Sequence, residues 1–143
     1  MNETQQGQDG QAPASAVPLY FSRTYDETMS LLLEARNCVM RSGEQLATTA
    51  RARLAFSRES MRLTTRLTSV MAWLLAQRAV GEGEMTRQEA SDAHKLTARD
   101  LCLETADADD SALLPPDLQQ LLDRSHALYS RVARLDAQVR AQA

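Results

Sequence analysis

Phe56-Ser-Arg-Glu-Ser-Met-Arg-Leu-Thr-Thr-Arg-Leu-Thr-Ser-Val-Met-Ala-Trp-Leu-Leu-Ala-Gln-Arg-Ala-Val80 contains neither glycine nor proline. Phe56, Ser60, Leu63, Leu67, Val70 and Leu74 recur at steps of three and four, so they share one helical face, and Met71 and Leu75 widen it. An apolar face this broad suits a helix packed against two neighbours. The glycine- and proline-free run begins at residue 44. If helical throughout it is about 55 Å long, with a bend or break expected in its first third, where Ala-Thr-Thr-Ala-Arg is less apolar. Gly81-Glu-Gly83 ends it.

The neighbours follow from the flanks. Thr24-Tyr-Asp-Glu27 has capping-box spacing, and Tyr25, Met29, Leu32, Leu33, Val39 and Met40 then recur at helical spacing up to a break at Ser42-Gly43. Thr86-Arg-Gln-Glu89 is a second capping box, predicting a short helix to about Leu96. Residues 104–112 are acidic and read as a solvated loop; they lack the glycine and distal glutamate of a calcium loop. Pro115-Pro116 pre-sets the first turn of a last helix, in which Leu118, Leu121, Ser125, Leu128, Val132, Leu135 and Val139 alternate by three and four. The fold class expected is all-α: a three-helix bundle with one short additional helix. Residues 1–19, rich in Gln, Gly, Ala and Pro, are expected to be a flexible N-terminal tail, and residues 20–143 a single helical-bundle domain.

Composition excludes other classes. Of 143 residues, 43% are hydrophobic, which is enough for a core; only 4% are aromatic, and five glycines and four prolines are too few for a β-sandwich or a barrel. No glycine-rich phosphate loop is present. The first twenty residues lack a basic start and an apolar core, so no signal peptide is expected, and the longest apolar run, Val70 to Ala76, is far short of a bilayer span. A cytoplasmic protein with no membrane insertion is the expectation. Cys38 and Cys102 have no metal or redox spacing and read as buried thiols.

Net charge is −3, but it is unevenly spread. Residues 51–80 carry six arginines against Glu59, whereas residues 81–123 carry eleven acids against Arg87, Lys95 and Arg99. Helical phase places Arg51, Arg58, Arg62 and Arg66 in one sector, which Trp73 continues. Two readings stand for it. In one, Arg58, Arg62, Arg66 and Trp73 line a solvent-side protein-binding face, since Trp and Arg are enriched at hot spots. In the other, the arginines pair with the acidic segment of the same chain and Trp73 covers a bundle edge. The nearby acids cancel much of the field a phosphate backbone needs, so no nucleic-acid partner is expected.

Catalytic chemistry has little to work with. His94 and His126 lie in separate segments without ligand or triad spacing, and Thr64, Thr65 and Thr68 are placed to bond back to the preceding helical turn. No enzyme activity, cofactor or metal is expected.

Glu59-Ser-Met-Arg-Leu-Thr-Thr-Arg-Leu67, Ala72-Trp-Leu-Leu75, Gln77-Arg-Ala79 and Gly83-Glu-Met-Thr86 together resemble the signature of the alphaproteobacterial regulator of CtrA degradation (RcdA) family. The resemblance implies a three-helix bundle that self-associates as a homodimer. It also implies a non-enzymatic adaptor that delivers cell-cycle regulators, including transcription factors, to the ClpXP protease with a response-regulator partner. Polar recruitment within the cytoplasm is implied with it. Arg62 and Arg66 fall inside the motif that carries the likeness.

Overall fold

The computed structural model describes residues 17–45, 49–93, 96 and 99–142. These residues form helices and connecting turns, with no strand among them. Three helices are long: α1 (Val17–Gln45), α2 (Ala50–Gly81) and α6 (Pro116–Ala141). Each of the three packs on the other two. Three more are short: α3 (Arg87–Ala93), α4 (Arg99–Leu103) and α5 (Ala108–Ala112). The all-helical expectation holds. The single short additional helix does not, because the described residues hold three.

The first helix departs from its predicted bounds at both ends. It begins at Val17, so residues 17–19, assigned to the tail by composition, are its first turn; residues 1–16 lie outside the described residues. Pro18 is tolerated there because first-turn amides have no partner within the helix. Thr24 is therefore interior and not a cap: its carbonyl accepts from the Thr28 hydroxyl at 2.7 Å, with both threonines buried. The helix also runs through Ser42-Gly43 to Gln45. A mid-helix glycine costs only about 1 kcal/mol against alanine, and burial of Ser42 holds the helix at that point.

The glycine-free run breaks where its polar stretch lies. Thr49 caps α2, its hydroxyl accepting from Ala52 N–H at 3.2 Å. From Ala50 the helix continues unbroken for 32 residues. Gly83, at φ +76°, takes the left-handed turn that lets Glu84 N–H reach back to Ala79 O at 2.9 Å.

One apolar cluster holds the molecule together. Leu31, Ala35 and Cys38 of α1, Leu63, Leu67, Val70 and Leu74 of α2, and Leu118, Leu128 and Val132 of α6 meet at its centre. Both free cysteines are buried. At the outer rim of the α1–α6 contact, Arg124 grips the Glu34 carboxylate with two bonds, of 2.6 and 3.0 Å, and Arg131 pairs with Glu27. The helix of five residues at 108–112 stands where a loop was expected. Asp107 caps it, accepting from Asp110 N–H at 2.8 Å, and Asp109 and Asp110 complement its positive end.

Candidate functional site

Arg58, Arg62, Arg66 and Trp73 all project from α2 toward α4, α5 and α6. Successive i, i+4 steps drift by about 40° around a helix, and the three arginines show that drift as graded burial. Arg58 has 48% of its side chain exposed, Arg62 6% and Arg66 1%. A solvent-side stripe is thus overturned for three of the four residues. The short helices α4 and α5, which the sequence did not predict, and α6 cover this sector.

Arg66 is a clamp. Its Nε donates to Cys102 O at 2.7 Å and its Nη2 to Glu104 O at 2.6 Å, holding the end of α4. Its Nη1 donates to Leu122 O at 3.1 Å and Ser125 Oγ at 3.3 Å, holding α6. Burial, and then the neighbouring Arg62, pull its pKa below the ordinary guanidinium value. Arg62 donates to both oxygens of Glu59 at 2.7 Å and reaches Glu104 at 3.5 Å. Glu59 is itself buried, so the pair is desolvated. Arg58 bridges Glu59 and Asp110, and Arg51 reaches the same Asp110. These contacts, the hydrogen bonds from Arg58 foremost, hold the Asp110 carboxyl below its ordinary value.

Trp73 serves the other end of the α2–α6 seam. Its Nε1 donates to Asp136 Oδ1 at 2.9 Å, Arg140 donates to Asp136 Oδ2 at 2.9 Å, and Arg140 also reaches Ser91 Oγ of α3 at 2.7 Å. The four residues are thus brought onto one side of α2, where they tie it to the elements that follow. Glu59, Ser125 and Asp136 are the partners that residue-by-residue inspection passed over. Ser125 carried a signal, a hydroxyl in an otherwise apolar heptad seam.

Of the two histidines, His94 lies outside the described residues. His126 Nε2 is 3.0 Å from Leu103 O, a contact that requires the proton on Nε2. Tyr129 and Cys102 are fully buried against each other, and burial raises both, the tyrosine to about 12. Among the described residues no three His, Cys, Asp or Glu side chains gather as a metal site, and no helix is long and apolar enough to cross a membrane.

Comparison with known proteins bears on what such a scaffold does. The profile of a family described as protein of unknown function DUF1465 matches residues 13–143. The crystal structure of RcdA from Caulobacter crescentus CB15 is similar, with a TM-score of 0.63 and 39% sequence identity, over 83% of this chain and 89% of that one. The chain belongs to the RcdA family. No curated protein sequence matches it. The motif that suggested RcdA supplies Glu59, Arg62 and Arg66, whose side chains in this member build the buried clamp between α2, α4 and α6.

Proposed function

We propose that the protein is a non-enzymatic adaptor, tethering cell-cycle regulatory substrates such as transcription factors to the ClpXP protease with a response-regulator partner. The supporting observation is the 39% identity to Caulobacter RcdA over most of both chains. An adaptor acts by raising effective concentration, so two modest contacts on separate surfaces suffice and no reacting group is needed. A three-helix bundle that forms a homodimer in the cytoplasm, with polar recruitment, belongs to the same reading. Trp73 is buried within the chain and is not available to such a dimer. Of the four residues first placed on a docking face, only Arg58 keeps substantial exposure, so docking is assigned to other surfaces.

The experiment compares protein half-lives across the proteome of the source cell with and without the gene. The expected result is a restricted set of lengthened half-lives, the same set lengthened when ClpX is depleted. A dimeric helical protein with a role outside proteolysis leaves every half-life unchanged.

A further inference from the structure

The side of α2 away from the arginine clamp is open. Between α1 and α2 runs a groove of about 420 Å³, lined by Val39 of α1 and by Phe56, Ser57, Met61, Thr64 and Thr65 of α2. Met40, Leu54 and Met61, at or beside it, are 63% to 69% exposed. Its threonines are more apolar than their names suggest. The Thr64 hydroxyl donates to Ser60 O at 3.0 Å, Thr65 to Met61 O at 2.8 Å and Thr68 to Thr64 O at 2.8 Å. With those hydroxyls turned onto the backbone, the helix presents their methyl groups outward.

Among the described residues the charge along this groove has one sign. Arg36 lies one turn before Val39 and Met40 on α1, and Arg53 one turn before Phe56 and Ser57 on α2. Because α1 and α2 are consecutive and antiparallel, Arg36 stands on the side of Val39 away from their connection and Arg53 on the side of Phe56 toward it. Both are exposed, and neither forms an ion pair among the described residues. No carboxylate among the described residues lines the groove. Paired with its own copy, this surface would bring only arginines together at its rim, which like-charge repulsion disfavours.

Resting on the adaptor reading, we propose that the α1–α2 groove receives an amphipathic helix of a partner protein, its apolar stripe over Met61 and its flanking carboxylates meeting Arg36 and Arg53. Helix-in-groove docking uses anchors one turn apart, and methionine adapts to differing partners. The rim arginines then select the sign of the flanks. The chain as a whole is acidic, at −3, so non-specific attraction favours a basic peptide, and preference for an acidic one is a local property of the groove.

The test titrates the full chain with two fluorescent peptides of about 18 residues, five helical turns. Both carry leucine at helical spacing; one has glutamate beside the stripe, its twin lysine. The glutamate peptide is expected to bind about tenfold more tightly, the sum of two exposed charge pairs. Met61→Glu should abolish binding, and Arg36→Glu with Arg53→Glu should reverse the preference. All three positions are exposed, and circular dichroism checks the fold of each variant. Equal binding of the twins, or indifference to the arginine reversals, overturns the proposal. So does a dimer in sedimentation that Met61→Glu dissociates, since the occupant is then a second copy. Selective peptide binding without any change in half-lives keeps the groove and removes the tethering role; the converse removes the groove alone.

Discussion

Arg66 shows how one polar residue can be both buried and indispensable. Its guanidinium satisfies three carbonyls and a serine from two other elements. Removing it leaves the Cys102 and Glu104 carbonyls without that donor, at about 1–3 kcal/mol for each one left buried and unpaired, while Leu122 O keeps the Ser125 hydroxyl at 3.0 Å. Arg66→Met should therefore lower unfolding free energy by on the order of 3 kcal/mol or more, read from urea titration. Charge reversal of Arg62 and Arg66 together should unfold the chain, which makes that variant a probe of stability and not of docking. Arg58→Ala should cost far less, because its own side chain is half exposed and buried Glu59 keeps its pair with Arg62.

Tyr129 gives a second test at the same scale. Its folded-state pKa, raised by burial to about 12, exceeds the ordinary value near 10. The neutral phenol is therefore the form the fold protects. Its contribution is complete below pH ~10 and is lost as pH climbs toward its folded value. Absorbance titration at alkaline pH should show one tyrosine ionising late, together with loss of helical signal, and Tyr129→Phe should remove the late step. A late step that persists in that variant refutes the assignment.

Local signals held where one element decided the outcome. The heptad of α6 buries Leu118, Leu121, Ser125, Leu128 and Val132 as its spacing required. The Thr86–Glu89 box forms as read: Glu89 accepts from Thr86 N–H at 2.9 Å, and the Thr86 hydroxyl accepts from Glu89 N–H at 3.1 Å. The backbone N–H of Thr86 is the main cause that lowers the Glu89 pKa. Glu89→Gln should leave the long helices intact while speeding amide exchange in α3. Thr49→Ala should cost about 1 kcal/mol through loss of the α2 cap.

The same kind of signal failed where tertiary packing ruled. Thr24–Glu27 has capping spacing, but burial of Thr24 and Thr28 against the core keeps the helix running in both directions. The short helices α4 and α5 have too few residues for any periodicity, and they exist because Arg66, Arg62 and Arg58 bind their carbonyls and carboxylates. Without those elements in view, the arginine sector of α2 faces solvent by phase alone. The alternative, that the arginines pair with the acidic segment of the same chain, is the one their contacts with Glu104 and Asp110 support.

For the molecule as a whole, α2 separates two tasks. One side is closed by a desolvated polar clamp that fixes the short helices to the long ones. Another side, beside its contact with α1, is left apolar and open. This division suits a protein that holds partners without transforming them, because the clamp keeps the scaffold rigid while the open side stays free for docking. The most direct measurement is reconstituted ClpXP degradation of one protein whose half-life lengthens when the gene is deleted. Addition of the full chain, with the response regulator present, should accelerate degradation in a saturable way, and Met61→Glu should blunt it while Arg58→Ala does not. A degradation rate unchanged at every concentration of the chain would contradict the adaptor role.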